Sequence, residues 1–288
     1  MSLKEIKSRI ASVTSTLKIT SAMKRVASAK LHHQEGMTEH LLPYEQAMNR
    51  MSRQLLTDSK VIHSPLADQR PVHHVSIVAF SANGGLCGSF NANLMKALAT
   101  RLEQYRQQQI AVSVIPVGKK VEEFLIKAGY PVAVSRQSLI EKPTYASVVP
   151  LADELSEHFT TGKTDRVEIL YHHFKSAASQ TLQWRAYLPI PLDATSSADD
   201  SIHRADWIQE PSPEQLQQWF LPKVLRLSLY AILLDATTAE QAARVMAMQT
   251  ACDNANELIQ ELTLQYNKSR QQAITNELMD IMGGKGAS

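Results

Sequence analysis

The sequence predicts an α/β chain in which a long antiparallel coiled coil, made by the two terminal segments, flanks a central α/β unit. Three observations carry that prediction. The last quarter, Pro222 to Met282, holds no glycine and no further proline until Gly283-Gly284. About 60 residues at a 1.5 Å rise make a rod of roughly 90 Å, longer than a compact domain of this size. The first segment repeats apolar residues at three and four positions from Leu3 onward. Between the two, short β-branched runs alternate with amphipathic stretches, which is the pattern of a mostly parallel sheet.

Taken in order, Leu3, Ile6, Ile10, Val13 and Leu17 form the first seam, and the apolar stripe then moves over to Ile19, Met23 and Val26. Gly36 and Pro43 interrupt it, with the helix continuing through or restarting toward Leu56. This gives a helical segment over residues 1–58. The central unit, residues 72–207, opens with a strand from His74 to Phe80, a loop from Ser81 to Phe90 and a helix from Asn91 to Gln108. A second strand is expected over Val112 to Val117, a helix over Lys119 to Ala128 ended by Gly129, and a third strand over Val132 to Val134. A helix near Ser147 to Phe159 precedes two strands, Arg166 to Phe174 and Gln180 to Leu188, which pair as an antiparallel edge. The order is Rossmann-like. Asp193 to Trp207 reads as a loop or linker.

The C-terminal segment, residues 210–288, starts with a capping-box pattern at Ser212-Pro213-Glu214-Gln215, and Pro222 is suited to a first helical position. Val245, Met248, Cys252, Ala255, Ile259, Leu262 and Tyr266 follow a period of 3.5. Ser269, Ala273 and Asn276 keep that register, while Ile274, Leu278 and Ile281 shift the apolar face sideways. Such a drifting stripe fits a helix that changes neighbours along its length. Two terminal helices with matching seams pair antiparallel, Leu3 to Val26 lying alongside Val245 to Ile281.

At 288 residues, 44% hydrophobic and 20% charged, the chain has a globular composition. The net charge of +2 is unevenly spread: residues 1–34 carry seven Lys and Arg against the single acid Glu5. A basic helix of this kind suits a nucleic acid, an anionic membrane surface or an acidic protein. Aromatic residues are only 6% and few lie near the basic stretch, so there is no stacking platform for bases. Cys87 and Cys252 have no CxxC spacing, which points away from a disulfide framework or a zinc site and toward a reducing compartment. No apolar signal core opens the chain, and the most apolar run, Leu227 to Leu234, is broken by Ser228 and closed by Asp235.

Candidate chemistry is thin. Gly84, Gly85 and Gly88 do not have the GxGxxG spacing, and the second strand ends in Pro116-Val117-Gly118-Lys119, where a ribose-binding acid would stand. Gly162-Lys163-Thr164 lacks the first glycine of a phosphate loop and follows a helix, so it reads as a cap and turn. The pairs His32-His33, His73-His74 and His172-His173 cannot place both neighbours on one side of a strand. No catalytic triad, carboxylate pair or metal-ligand spacing is present in the sequence. An α/β enzyme with helical arms and a basic-helix nucleic-acid binder both remain open on these patterns alone.

Longer motifs add a resemblance. Ile6-Lys7-Ser8-Arg9-Ile10, Lys18 through Ala27, Gly85-Leu86-Cys87-Gly88-Ser89-Phe90-Asn91, Gln241 through Met248, Asp253-Asn254-Ala255 and Tyr266 through Leu278 resemble, in order and across the whole chain, the gamma chains of bacterial F-type ATP synthases. Asn83-Gly84 departs from the Asp-Arg usual there. The resemblance implies a central-stalk rotor without an active site of its own. Its coiled coil would turn inside a hexamer of alpha and beta chains, which bind Mg-ATP and ADP, and its foot would meet the epsilon chain and the c ring. It also implies a peripheral place on the cytoplasmic side of the bacterial plasma membrane, and no cofactor, metal or nucleic acid bound by this chain. Carried over residue by residue, Arg270, Gln271, Thr275 and Glu277 fall at a beta-chain loop contact. Met23, Lys24 and Arg25 fall at an acidic beta-chain segment, and Glu210 falls at the foot facing the c ring. No clear cysteine pair stands in the middle unit, so thiol gating of the chloroplast kind is not expected.

Overall fold

The computed structural model describes residues 2–58, 64–132, 134–190, 210 and 212–284. Each terminal segment forms one helix. α1 runs Leu3–Asp58 over 56 residues and α6 runs Pro213–Gly284 over 72, about 84 Å and 108 Å long at 1.5 Å per residue. They are antiparallel. Thr20 Oγ1 lies 3.3 Å from Cys252 Sγ, Lys24 Nζ donates to Gln249 Oε1, and Gln217 Nε2 donates to the Leu55 carbonyl at 2.9 Å. From Thr20 to Leu55 and from Cys252 back to Gln217 the intervals are equal, so the register does not slip. It sets Leu3 opposite Ser269, and α6 continues past that point without α1 beside it.

The N-terminal seam holds its register where the sequence reading moved it. After Leu17 the inward positions are Thr20, Lys24, Ala27, Leu31 and Gln34, of which Ala27, Leu31 and Gln34 are buried. Ile19 and Val26 instead face outward, 62% and 58% exposed, and only Met23 of that expected stripe is partly covered. A period of 3.5 fixes which residues point at the partner whatever their polarity. Gly36 and Pro43 do not interrupt α1. Pro43 is exposed, so the carbonyl it leaves unpaired can bond to water, and Leu41, Met48, Met51 and Leu55 hold the helix against Leu216, Phe220, Val224 and Leu227.

Pro222 is likewise internal rather than initial, since α6 begins at Pro213 with Gln215 N–H donating to Ser212 Oγ at 3.3 Å. Phe220 packs toward α1 and Leu221 into the sheet core. Burial on both sides outweighs the roughly 3 kcal/mol that an internal proline costs.

Between the helices lie β1 (His74–Phe80), α2 (Phe90–Gln107), β2 (Ala111–Val117), α3 (Lys119–Lys127), α4 (Ser138–Glu141), α5 (Tyr145–Thr160), β3 (Arg166–Ser176) and β4 (Ser179–Leu188). The sheet order is β2-β1-β3-β4, with β1 parallel to both neighbours and β3 antiparallel to β4. Alternation sorts the side chains. Val75, Ile77 and Ala79 join Leu94, Leu98, Val121 and Leu125 on the face covered by α2 and α3. Val78, Phe80, Val167 and Ile169 meet Leu151, Leu155 and Phe159 of α5 and Leu225, Leu229, Ile232 and Leu233 of α6 on the other. The long C-terminal helix is therefore one of the sheet's own covering helices. This explains why Leu227 to Leu234 is apolar nearly all round: it is enclosed between α1 and the sheet.

The expected strand at Val132 to Val134 is absent: Pro131, Val132 and Val134 belong to no strand, Val134 is 54% exposed, and residue 133 lies outside the described residues. Both neighbours of β1 are already supplied by β2 and β3, and Pro131 has no N–H for a ladder. The expected linker from Asp193 to Trp207 also lies outside the described residues. Gly118 marks a close approach, with φ +107° and a Cβ position only 2.1 Å from the Ser81 carbonyl oxygen. No side chain fits there.

Candidate functional site

The residues singled out from sequence fall at three heights along the rod. Arg270, Gln271, Thr275 and Glu277 all sit on the part of α6 that extends beyond α1, and all four are exposed. Thr275 Oγ1 donates back to the Gln271 backbone carbonyl at 3.0 Å. Ile274, Leu278 and Met279 are 45%, 56% and 66% exposed on the same extension. A single helix with bare apolar and polar side chains is suited to being enclosed by something else. The side chain of Ile281 lies outside the described residues.

Met23, Lys24 and Arg25 lie roughly 30 Å lower, opposite the Gln249 turn. Sequence reasoning treats them as one basic stretch, but the helix divides them. Lys24 is half-buried and engaged with Gln249, which donates to both Asp253 oxygens at 2.8 and 2.9 Å. Arg25 is exposed. Glu210, also exposed, precedes α6 at the far end, on the order of 90 Å from Arg270 along the rod.

Where a doubly wound sheet holds its ligand, at the carboxyl ends of strands on either side of a switch in connection, the present sheet has the β1–β3 junction. A cleft of about 280 Å³ lies there, lined by Cys87, Phe90, His172, Ala243, Met246 and Thr250 among others. Four of the lining positions, Ala243, Met246, Ala247 and Thr250, belong to α6, which crosses the crevice. His172 is 3% exposed and stacks on Phe90 with ring centroids 4.1 Å apart, and burial pushes its pKa down to about 4. Burial also pushes the Cys87 thiol up, so it is a protonated thiol at neutral pH. A neutral imidazole and a protonated thiol supply no charge for a phosphate. Among the described residues no three His, Cys, Asp or Glu side chains gather as a metal site.

The loop beside this cleft makes use of the Asn83 departure. Asn83 Nδ2 donates to the Gln137 carbonyl at 3.0 Å and its Oδ1 accepts the Lys119 N–H at 2.9 Å. One residue thus ties the ends of β1, β2 and the approach to α4. Of the other paired histidines, His32 and His33 are exposed and His173 Nδ1 lies 2.7 Å from Asp235 Oδ2. Sequence reasoning missed Asp235 and Arg244. A lone acid closing an apolar run and a lone Arg in a helical motif carry no signal until their distant partners are known. Among the described residues no helix is long and apolar enough to cross a membrane.

Comparison with known proteins agrees with this architecture. A family model described as ATP synthase matches residues 2–287. The ATP synthase gamma chain of Parabacteroides distasonis is 53% identical over 287 residues, covering 100% of this chain and 99% of the relative. That of Bacteroides fragilis is 49% identical over 288 residues, covering 99% of each. Among solved structures, the central stalk and c-ring structure of the Tetrahymena thermophila mitochondrial ATP synthase matches with a TM-score of 0.59 at 22% identity, covering 81% of this chain and 99% of that chain. The Euglena gracilis mitochondrial enzyme matches at 0.55 and 20% identity, covering 93% of this chain and 95% of that chain, so the fold is shared. The chain belongs to the ATP synthase gamma chain family.

Proposed function

We propose that this protein is the rotating central shaft of a bacterial F-type ATP synthase, coupling ion flow through a membrane ring to ATP synthesis or hydrolysis on other chains. The observation that carries the reading is the α6 extension, a bare helical tip held far from the α/β unit by a coiled coil of unbroken register. Family membership across residues 2–287 supports it. As a non-catalytic subunit it would leave Mg-ATP and ADP to the alpha and beta chains. The crossing of the β1–β3 crevice by α6, with no cationic side chain among its lining residues, is consistent with that division. Neither an α/β enzyme with helical arms nor a nucleic-acid binder gains support from these features.

In this reading the tip residues Arg270, Gln271, Thr275 and Glu277 meet a beta-chain loop, and Arg25, with Met23 and Lys24 beside it, passes an acidic beta-chain segment. Glu210 and the α/β unit face the epsilon chain and the c ring. The segments 1–58 and 210–288 act as the shaft and 72–207 as the foot, with the complex placing the chain peripherally on the cytoplasmic side of the inner membrane. Affinity capture of the tagged chain from its native membranes tests this. Recovery of stoichiometric alpha, beta and epsilon chains is expected, and a chain recovered alone or with nucleic acid would contradict it.

A further inference from the structure

A shaft helix that is also a covering helix of a sheet could roll about its own axis, because apolar side chains define a contact face but fix rotation only loosely. Three polar anchors on α6 bear on this. Arg226 makes a bidentate pair with Asp153 of α5, Nε to Oδ1 at 2.7 Å and Nη2 to Oδ2 at 3.0 Å. Asp235 accepts the Phe174 backbone N–H on Oδ1 at 2.8 Å and meets His173 Nδ1 on Oδ2 at 2.7 Å, both on β3. Arg244 donates from Nη1 to the Gly85 carbonyl in the loop after β1, while the buried Glu240 aims it through Nη2 at 2.6 Å.

The anchors recur at equal intervals of about two and a half helical turns. Successive anchors therefore leave α6 on opposite flanks, with Arg226 and Arg244 on one side and Asp235 on the other. The apolar strip Leu225, Leu229, Ile232 and Ala236 that enters the sheet core lies between those flanks. Turning α6 in either sense lengthens at least one anchor. The partners belong to three separate parts of the unit, namely α5, the far half of β3 and the β1–α2 loop, so no single local distortion relieves all three. By comparison, α1 meets the sheet through the Arg185 to Glu45 pair at a looser 3.6 Å.

We propose that Arg226, Asp235 and Arg244 form a two-sided clamp that fixes the rotational setting of α6 against the α/β unit, and so act as positioning residues for torque passing between foot and shaft. The torque role rests on the rotor reading above; the clamp itself does not. It can be tested on the full-length chain alone. Nitroxide labels are placed at Ile126→Cys on α3 and Leu264→Cys on α6, both exposed at 61% and 71%, while the native cysteines are buried. Pulsed dipolar spectroscopy then reads the distance distribution. A narrow distribution is expected with the clamp intact, and at least a two-fold broadening in Asp235→Ala and in Arg226→Ala combined with Arg244→Ala, with far-UV helicity retained. Asp235→Asn, which keeps an acceptor for the Phe174 N–H, should recover about half of the narrowing. Unchanged width in both alanine variants would overturn the clamp, and should the double variant not fold, Asp235→Ala against Asp235→Asn decides it. Broadening on the isolated chain with undiminished ion pumping per ATP in the assembled complex would uphold the clamp and count against its torque role.

Discussion

Thr20 Oγ1 and Cys252 Sγ meet at 3.3 Å across the seam between α1 and α6, and Ser21 Oγ approaches the same sulfur at 3.5 Å. Small side chains around the thiol allow the helices to come close here. The thiol also makes the antiparallel register chemically accessible. Thr20→Cys places two sulfurs within disulfide range. Mild oxidation is expected to give an intrachain bond, seen as a mobility shift on a non-reducing gel that Cys252→Ser abolishes. Cys87, buried on the α/β unit, should remain reduced. An unshifted band after oxidation would mean that Thr20 and Cys252 are not paired.

The position of the seam predicts a contrast in stability. Leu31 is 7% exposed and Val26 is 58% exposed, although both are apolar residues of one helix. Leu31→Ala should lower unfolding free energy by about 2–5 kcal/mol, whereas Val26→Ala and Ile19→Ala should stay within about 0.5 kcal/mol on the isolated chain. Denaturant titration measures this. Equal losses at Leu31 and Val26 would show that the apolar stripe itself, rather than the 3.5 period, faces the partner.

His172 predicts an acid-labile fold. Burial holds its pKa near 4 in the folded chain, below the ordinary value of 6.5. Between these values the unfolded chain binds a proton that the folded chain does not, so stability rises with pH from about 4 to 6.5 and is lost as pH falls through that window. The effect is at most about 3 kcal/mol. His172→Phe should preserve the stack on Phe90 and flatten this part of the pH profile relative to the unaltered chain. Parallel profiles for the two proteins would contradict the assignment.

What could be read from the chain divides by the range of the interactions involved. β1 was legible to the residue, His74 to Phe80, because a β-branched apolar run bounded by a Gly loop is a local signal. The C-terminal helix followed from breaker-free length, and the N-terminal helix and the antiparallel pairing from heptad spacing. Ile19 and Val26 are apolar but lie off the 3.5 period and so face outward, and Pro222 is internal because tertiary burial surrounds it, which no local signal shows. Val132 to Val134 has strand composition but no vacant place beside β1. The contacts of Asp235 with Phe174 and of Arg244 with Gly85 join residues far apart in sequence, so neither was visible from one residue's neighbours. The tip residues were found from motifs, and their shared exposure on the α6 extension is what only three-dimensional placement adds.

In the proposed rotor, the exposed Arg270 and Gln271 would offer a planar guanidinium and an amide to a passing beta-chain loop. A hydrogen bond to a charged group contributes roughly 1.5–3 kcal/mol, small enough to break and re-form at each step. Replacing both residues by alanine is expected to slow ATP turnover of a reconstituted complex several-fold with little change in assembly, because the pair stands on a helix that folds without it. Unchanged turnover in a normally assembled complex would leave torque to the shape of the shaft.

The most direct test of the rotor account is to watch the chain turn. The protein is assembled with alpha and beta chains fixed to a surface, and a bead is attached to an exposed cysteine introduced at Ile126 on the α/β unit. On addition of Mg-ATP the bead is expected to rotate in one direction, in steps that stop when ATP is exhausted. Steady ATP hydrolysis beneath a stationary bead, with the chain verified in the complex, would contradict it.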